Sequence, residues 1–134
     1  MGISKETVEK LYDAAVKVRM NSCSPYSKFK VGAAVLTLDG KIYGGCNIES
    51  SSFGLTMCAE RNALSNALCA GERRFSAILV VADTEKPVSP CGACRQLIYD
   101  YAPEITVVMT NLNNDRSEMK IEELLKNPFG LSKS

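Results

Sequence analysis

The chain has 134 residues, of which 46% are hydrophobic and 23% are charged. These proportions are typical of a single folded domain over 1–134, and they exclude a disordered or fibrous protein. The formal net charge is only +1, and no apolar run approaches the roughly 20 residues that span a bilayer. We therefore expect neither a nucleic-acid partner nor a membrane partner.

The cysteine and histidine counts restrict the possible chemistry. The N-terminal segment lacks the apolar core and cleavage site of a secretory signal, which predicts a cytoplasmic protein. In that compartment the six cysteines stay reduced and are available for a metal or for catalysis. The sequence contains no histidine. Any metal site must therefore use thiolates or carboxylates, and no mechanism can use a histidine base.

The first half of the chain predicts a helix followed by a hairpin. Apolar residues recur at three- and four-residue steps over 5–20, which marks one face of a helix. Residues 29–38 predict a strand. The dipeptide Asp39-Gly40 suits a tight turn, and the partner strand is expected over 41–46.

The second half predicts helices that alternate with strands. After a polar loop at 47–56, helix-forming residues cover 57–70. The β-branched run at 77–82 predicts a central strand that is covered on both faces. A third helix is expected over 91–101, and another strand over 105–110.

The C-terminal part is predicted as a polar turn at 111–117 and a short helix at 121–125. Gly71 is expected to end the helix predicted over 57–70. Helices that alternate with strands after an initial hairpin indicate an α/β fold. We predict a three-layer α/β/α sandwich around a mixed sheet of about five strands.

Three cysteines lie where a loop enters a predicted helix. Cys91 and Cys94 are three residues apart, so both sulfurs face one side of a first helical turn, where free backbone N–H groups favour thiolates. Cys58 begins another helix and can supply a third thiolate. Three protein ligands leave the fourth tetrahedral position of a zinc ion open for water, as in catalytic sites. The three cysteines therefore suit a soft divalent ion such as zinc.

Two residues beside Cys58 have the chemistry that such a site needs. Glu60 follows it by two residues, so its side chain can lie beside the metal without ligating it and can move protons. Three thiolates and one zinc ion carry a net charge of −1, which calls for positive compensation. Arg61 is the nearest cation in sequence and can hydrogen-bond the ligand sulfurs.

Other interpretations of the cysteines stay open at this level. A Cys-x-x-Cys pair at a helix start also suits a thiol–disulfide oxidoreductase, which would leave Cys58 and Glu60 without a role. A structural zinc module would need a fourth protein ligand. The remaining cysteines are expected to be small buried residues: Cys23, Cys46 and Cys69.

The cysteine motifs are accompanied by further characteristic segments. The motifs read Cys-Ala-Glu-Arg at 58–61 and Pro-Cys-Gly-Ala-Cys-Arg-Gln at 90–96. The accompanying segments follow in order at 24–29, 31–34, 45–49 and 122–125. Together they resemble the small homotetrameric cytidine deaminases over nearly the whole chain.

The resemblance implies a reaction. Zinc held by Cys58, Cys91 and Cys94 would activate a water for attack on C4 of cytosine, and Glu60 would pass protons to N3 and to the leaving amine. Cytidine or deoxycytidine would then yield uridine or deoxyuridine and ammonia, a step of pyrimidine salvage.

The resemblance also implies substrate contacts. Asn47 and Glu49 would bind ribose hydroxyls, Phe29 would pack on the base, and backbone near Ala59 would read the pyrimidine edge. The family signature thus predicts a small-molecule nucleoside substrate.

Members of the family complete each site with residues from neighbouring subunits. The resemblance therefore implies a homotetramer, in which Phe53 and Phe129 fall where shared aromatic residues are expected. A related deaminase of another aminopyrimidine, such as a nucleoside antibiotic, uses the same zinc and glutamate and remains an alternative.

Overall fold

The computed structural model describes residues 3–131. Within that range the regular elements are α1 (Lys5–Arg19), β1 (Val31–Thr37), β2 (Ile42–Cys46), α2 (Ala59–Cys69), β3 (Phe75–Ala82), α3 (Gly92–Tyr101), β4 (Thr106–Asn111), β5 (Arg116–Lys120) and α4 (Ile121–Leu124). A single 3-10 turn, Phe53–Leu55, lies between β2 and α2. None of the helices in 3–131 is both long and apolar enough to cross a bilayer.

The five strands form one mixed sheet in the order β2-β1-β3-β4-β5. β3 and β4 are parallel, and every other neighbouring pair is antiparallel. The central strand β3 is almost entirely buried, as its β-branched run predicts. Because β3 and β4 are parallel, the chain must cross one face of the sheet between them, and α3 makes that crossing.

Helices cover both faces of the sheet, which confirms the predicted three-layer arrangement. Alternate residues of β3 contact two separate apolar clusters. On one face, α1 contributes Val8 and Leu11. On the other face, α2, α3 and α4 contribute Leu64, Ile98 and Ile121.

Two strand glycines let the helices approach the sheet closely. A Cβ atom on Gly32 of β1 would lie 2.1 Å from the carbonyl oxygen of Ala15 in α1. A Cβ atom on Gly45 of β2 would lie 2.2 Å from the backbone nitrogen of Ala63 in α2. Any larger residue would push the helix away. Gly45 thus sets how closely α2, which begins after Cys58, packs on the sheet.

The end of α2 confirms the predicted role of Gly71. This glycine adopts a φ of +96°, a conformation of low energetic cost for a residue that has no Cβ atom. Its backbone N–H donates to the carbonyl of Leu68 at 3.0 Å, and that of Glu72 donates to Ala67 at 3.0 Å. These two hydrogen bonds are the Schellman arrangement that satisfies the last carbonyls of a helix.

The predicted strand limits differ from the observed ones by one or two residues, and one strand, β5, was not predicted. β1 begins at Val31 rather than at residue 29. β5 occupies 116–120, where the sequence predicted a polar turn at 111–117. β5 lies at the edge of the sheet and is largely exposed, so it lacks the run of β-branched residues that marks the buried strands.

The prediction that three cysteines are buried is also wrong. Cys23 and Cys69 are exposed, and Cys46 is half-buried. Cys69 is the last residue of α2, and Cys23 lies in the turn region before β1, so neither faces one of the apolar clusters. Burial in the desolvated interior raises the pKa of the Cys46 thiol.

Candidate metal centre and adjoining cavities

The starts of α2 and α3 bring three thiols together. Cys58 and Cys91 are the residues directly before these helices and have extended backbones, with ψ of 154° and 168°. Cys94 lies in the first turn of α3 and is fully buried. The three sulfur atoms lie within 4.8 Å of one another, and those of Cys58 and Cys91 are 3.9 Å apart.

This spacing fits a zinc ion. Tetrahedral ligands with Zn–S bonds of about 2.3 Å place their sulfur atoms about 3.8 Å apart. The hydrogen bond from Cys94 lowers the pKa of the Cys58 thiol to about 5, and the same bond raises the pKa of Cys94. The lowered pKa favours the thiolate form of Cys58, which is the form that binds zinc.

Glu60 lies beside the thiols in the first turn of α2 and is only 6% exposed. Burial raises the pKa of its carboxyl group to about 7, and the negative charge of Cys58 acts in the same direction. A carboxyl group with a pKa near neutrality exchanges protons readily in either direction. Glu60 therefore has the position and the acidity expected of a proton-transfer group.

Arg61 connects α2 to the segment before Cys58. Its Nη2 donates to the backbone carbonyl of Thr56 at 2.7 Å. Its positive charge helps to lower the pKa of Cys58, after the larger effect of Cys94. The Nε of Arg61 is buried and has no hydrogen-bond partner among residues 3–131. The guanidinium group is thus oriented near the thiols, as the predicted charge compensation requires.

A cavity of about 220 Å³ opens beside the thiols. Six residues predicted for the site line it: Phe29, Asn47, Cys58, Ala59, Glu60 and Cys91. Ala59 is the first residue of α2, so backbone N–H groups of that helix start face this region. The cavity thus brings together the predicted proton-transfer group, two of the predicted metal ligands and three of the predicted substrate contacts.

The Asn47 side chain in this cavity is held by three hydrogen bonds. Its Oδ1 accepts from the Val31 N–H at 2.9 Å and from the Ser22 hydroxyl at 2.5 Å. Its Nδ2 donates to the carbonyl of Phe29 at 2.7 Å. The amide therefore fixes the chain just before β1, which explains why the strand starts at Val31. One Nδ2 hydrogen remains for a ligand.

A second cavity, of about 470 Å³, adjoins the first. It is lined by Tyr26, Ser27, Glu49, Ser50, Phe53 and Thr56. Thr56 also lines the smaller cavity and therefore stands between the two. Backbone hydrogen bonds of 2.8 and 2.9 Å join Ile48 to Met57, so the segment that carries Glu49 is tied to the residues before Cys58.

The two aromatic residues predicted for a shared wall are both exposed. Phe53 is 81% exposed and lines the larger cavity. Phe129 is 69% exposed and lines neither cavity, although its carbonyl accepts a hydrogen bond from Gln96 at 2.8 Å. Within one chain, the structure therefore joins Phe53 to the site and leaves Phe129 apart from it.

Comparison with known proteins decides the family. Residues 5–110 match the model of the cytidine and deoxycytidylate deaminase zinc-binding region. This chain belongs to that deaminase family. Its members bind zinc, and the cluster of Cys58, Cys91 and Cys94 is the site at which this chain can hold the ion.

Relatives of this deaminase-family chain match it over most of its length. It is 51% identical to the cytidine deaminase of Sporosarcina psychrophila over 123 residues, which is 91% of this chain and 90% of that protein. The crystal structure of the cytidine deaminase from Burkholderia pseudomallei matches with a TM-score of 0.89 and a sequence identity of 45%. The match covers 95% of this chain and all of the Burkholderia chain. The fold and its five-stranded mixed sheet are therefore those of a cytidine deaminase.

A relative with a different name also matches. The blasticidin-S deaminase of Bacillus cereus is 34% identical over 131 residues, covering 92% of this chain and 91% of that protein. The matching relatives thus carry the names of two different deaminases. The substrate must be argued from the residues around the three thiols.

Proposed function

We propose that this protein is a zinc-dependent deaminase that hydrolyses cytidine and deoxycytidine to uridine and deoxyuridine, with release of ammonia. The observation that carries the proposal is the cluster of three thiols at two helix starts with the buried Glu60 in the adjoining cavity. Relatives named cytidine deaminase, at up to 51% identity, support the substrate class. The reaction belongs to pyrimidine salvage in the cytoplasm.

Cys58, Cys91 and Cys94 would hold the zinc ion, one per chain. When bound, zinc would supply a water of lowered pKa for addition to the electron-poor C4. The carboxyl group of Glu60 would pass one proton of the water to N3 of the pyrimidine and the other to the amino group on C4, which leaves as ammonia. Water is consumed, and no oxidant or reductant is needed.

Arg61 balances the charge of the ligands. Three thiolates exceed the charge of one zinc ion, and the excess would raise the pKa of the bound water. The guanidinium group, held by the carbonyl of Thr56, reduces this excess. The starts of α2 and α3 add partial positive charge in the same region.

Four residues bind the nucleoside. Phe29 packs on the base, and the backbone of Ala59 contacts the polar edge of the pyrimidine. Asn47 and Glu49 bind sugar hydroxyls, since one Nδ2 hydrogen and unused carboxylate lone pairs remain available. The sugar then lies between the smaller cavity, which Asn47 lines, and the larger cavity, which Glu49 lines.

The enzyme assembles as a homotetramer in which neighbouring chains complete the site. Exposed apolar side chains on the loop before α2 support this assembly: Ile48, Phe53, Leu55 and Met57. Phe129 joins the site of a neighbouring chain, since it lies apart from the site of its own. Light scattering on the purified protein gives the mass, and a monomer at micromolar concentration would contradict this part of the proposal.

A second substrate class is an aminopyrimidine nucleoside antibiotic. The 34% identity to the blasticidin-S deaminase of Bacillus cereus favours it. A thiol–disulfide oxidoreductase that uses Cys91 and Cys94 is disfavoured, since the Cys91 sulfur lies 3.9 Å from that of Cys58 and that mechanism gives neither Cys58 nor Glu60 a role.

The test is a comparison of substrates with the purified protein. Cytidine, deoxycytidine and blasticidin S are each incubated with it, and products and ammonia are quantified. We expect both nucleosides to be deaminated with a kcat/KM at least a hundredfold above that of the antibiotic. Deamination of the antibiotic alone would replace the proposed substrate with the second class. Dithiol-dependent disulfide reduction without ammonia release would refute the deaminase.

A further inference from the structure

The hydroxyl group of Ser27 connects two residues of the proposed substrate site. It donates to the Oε2 atom of Glu49 and accepts from the backbone N–H of Phe29 at 3.0 Å. A serine hydroxyl has one hydrogen to donate and two lone pairs that accept, so one group makes both bonds. The bridge thus joins Glu49 in the larger cavity to Phe29 in the smaller one.

The other oxygen of the Glu49 carboxylate is held by the same turn. Its Oε1 accepts from the backbone N–H groups of Tyr26 and Ser27 at 3.0 and 3.1 Å. Hydrogen bonds that stabilise the charged form keep the pKa of this carboxyl group below its usual value, and the bond from the Ser27 hydroxyl has the largest effect. The carboxylate is therefore ionised and oriented before a ligand arrives.

The backbone around Ser27 is strained. Lys28, between Ser27 and Phe29, has a φ of +62°, which is uncommon for a residue with a Cβ atom. Its N–H donates to the carbonyl of Ser24 at 3.0 Å, which closes the turn. A conformation of this kind persists where surrounding hydrogen bonds determine it. The Ser27 hydroxyl supplies one such bond, which spans Lys28 to reach the N–H of Phe29.

We propose that Ser27 is a positioning residue for nucleoside binding, acting through its hydroxyl bridge between Glu49 and the backbone of Phe29. This inference rests on the proposed function and adds a residue to it. None of the hydrogen bonds of the Ser27 hydroxyl involves the three thiols or Glu60. Its removal therefore weakens binding of the sugar and base and leaves the metal and the proton transfer intact.

The decisive comparison is between Ser27→Ala, which lacks the hydroxyl, and Ser27→Thr, which keeps it. We expect S27A to raise the KM for cytidine about fivefold, with kcat and zinc content within a factor of two of the wild type. S27T should return KM to within twofold of the wild type. Ser117→Ala, on the exposed edge strand β5, is the matched control and should leave KM unchanged.

A double-mutant cycle asks whether Ser27 acts through Glu49. If it does, S27A raises KM fivefold in the wild type but less than twofold in a chain that already carries Glu49→Ala, whose side chain has no oxygen to accept from the hydroxyl. Equal effects in both backgrounds would overturn the positioning role through Glu49. A fall in kcat or loss of zinc in S27A would overturn the restriction to binding.

Amide hydrogen exchange tests the bridge independently of any substrate. The Phe29 N–H should exchange at least several-fold faster in S27A than in the wild type and S27T, with the amides of β3 unchanged. Unaltered exchange at Phe29 would overturn the proposal even in a fully active enzyme. An inactive wild type with the expected exchange pattern would instead refute the proposed function and leave the Ser27 bridge standing.

Discussion

The small cavity beside the thiols and the larger cavity around Glu49 are built in different ways. The first is formed around the starts of two helices that pack on a buried sheet, and the proposed proton-transfer group, Glu60, is almost fully buried. The second is formed by loops, and the carboxylate of Glu49 is oriented by hydrogen bonds at the surface. The proposed reactive groups thus stand on helix starts that pack on the sheet, and the proposed sugar contacts stand on loops.

The largest effect is expected from the metal ligands. Cys94→Ser removes a buried thiolate, and the remaining two thiols cannot hold zinc in a three-ligand site. We expect loss of bound zinc and loss of activity by at least about 10³-fold, measured by metal analysis and by nucleoside conversion. Cys69→Ser is the matched control, since Cys69 is exposed at the end of α2. A C94S protein that keeps zinc and turnover would remove Cys94 from the ligand set.

Loss of the proton-transfer group should separate chemistry from metal binding. Glu60→Gln keeps the size of the side chain but cannot accept a proton. We expect kcat to fall by about 10²–10⁴-fold while zinc content stays at that of the wild type. Rates at saturating cytidine and metal analysis on the same sample give both quantities. Residual activity above one tenth of the wild type would exclude Glu60 from this role.

A smaller effect is expected when the positive charge of Arg61, beside the three thiols, is removed. Arg61→Ala removes the positive charge near Cys58 and the hydrogen bond to Thr56. We expect a loss of about 10–100-fold in zinc affinity or in kcat. Competition with a chelator of known affinity measures the first, and steady-state kinetics measure the second. The control is Arg73→Ala, at an exposed arginine after α2, which should change neither zinc affinity nor kcat. Wild-type zinc affinity and kcat in R61A would contradict charge compensation by Arg61.

The smallest effect is expected from a substitution in the larger, loop-built cavity, where it should change the KM. Glu49→Gln removes the charge that accepts a sugar hydroxyl and leaves the thiols untouched. We expect the KM for cytidine to rise about tenfold with kcat within twofold, measured by initial rates. Glu118→Gln on β5 is the control. If E49Q instead lowers kcat at constant KM, Glu49 takes part in the chemical step, which contradicts a larger cavity that only binds substrate.

The sequence could predict the metal centre because its residues follow local rules. Cys91 and Cys94 are one helical turn apart, and Cys58 and Glu60 stand at a helix start, so spacing places the members of each pair. That the two helix starts meet in one zinc site was predicted with the help of the family resemblance. Local reasoning also predicted the buried strand β3 from its composition. It missed β5, since an exposed edge strand has no apolar run to mark it.

The loop-built cavity could not be predicted in this way. Glu49 and Ser27 are 22 positions apart, and they meet because backbone bonds join Cys23 to the segment around Ile48. No periodicity records such a contact. Only the family resemblance pointed to Glu49, and it gave no role to Ser27 or Thr56. Sequence spacing reveals groups that one helix presents, whereas contacts between loops require the fold.

The central claim is that zinc held by the three thiols makes this chain a cytidine deaminase. The most direct measurement titrates zinc into metal-stripped protein while ultraviolet absorbance follows the conversion of cytidine to uridine. We expect no activity without metal and a linear rise that saturates at about one zinc ion per chain. Full activity in the stripped protein, or no conversion at full zinc occupancy, would contradict this claim.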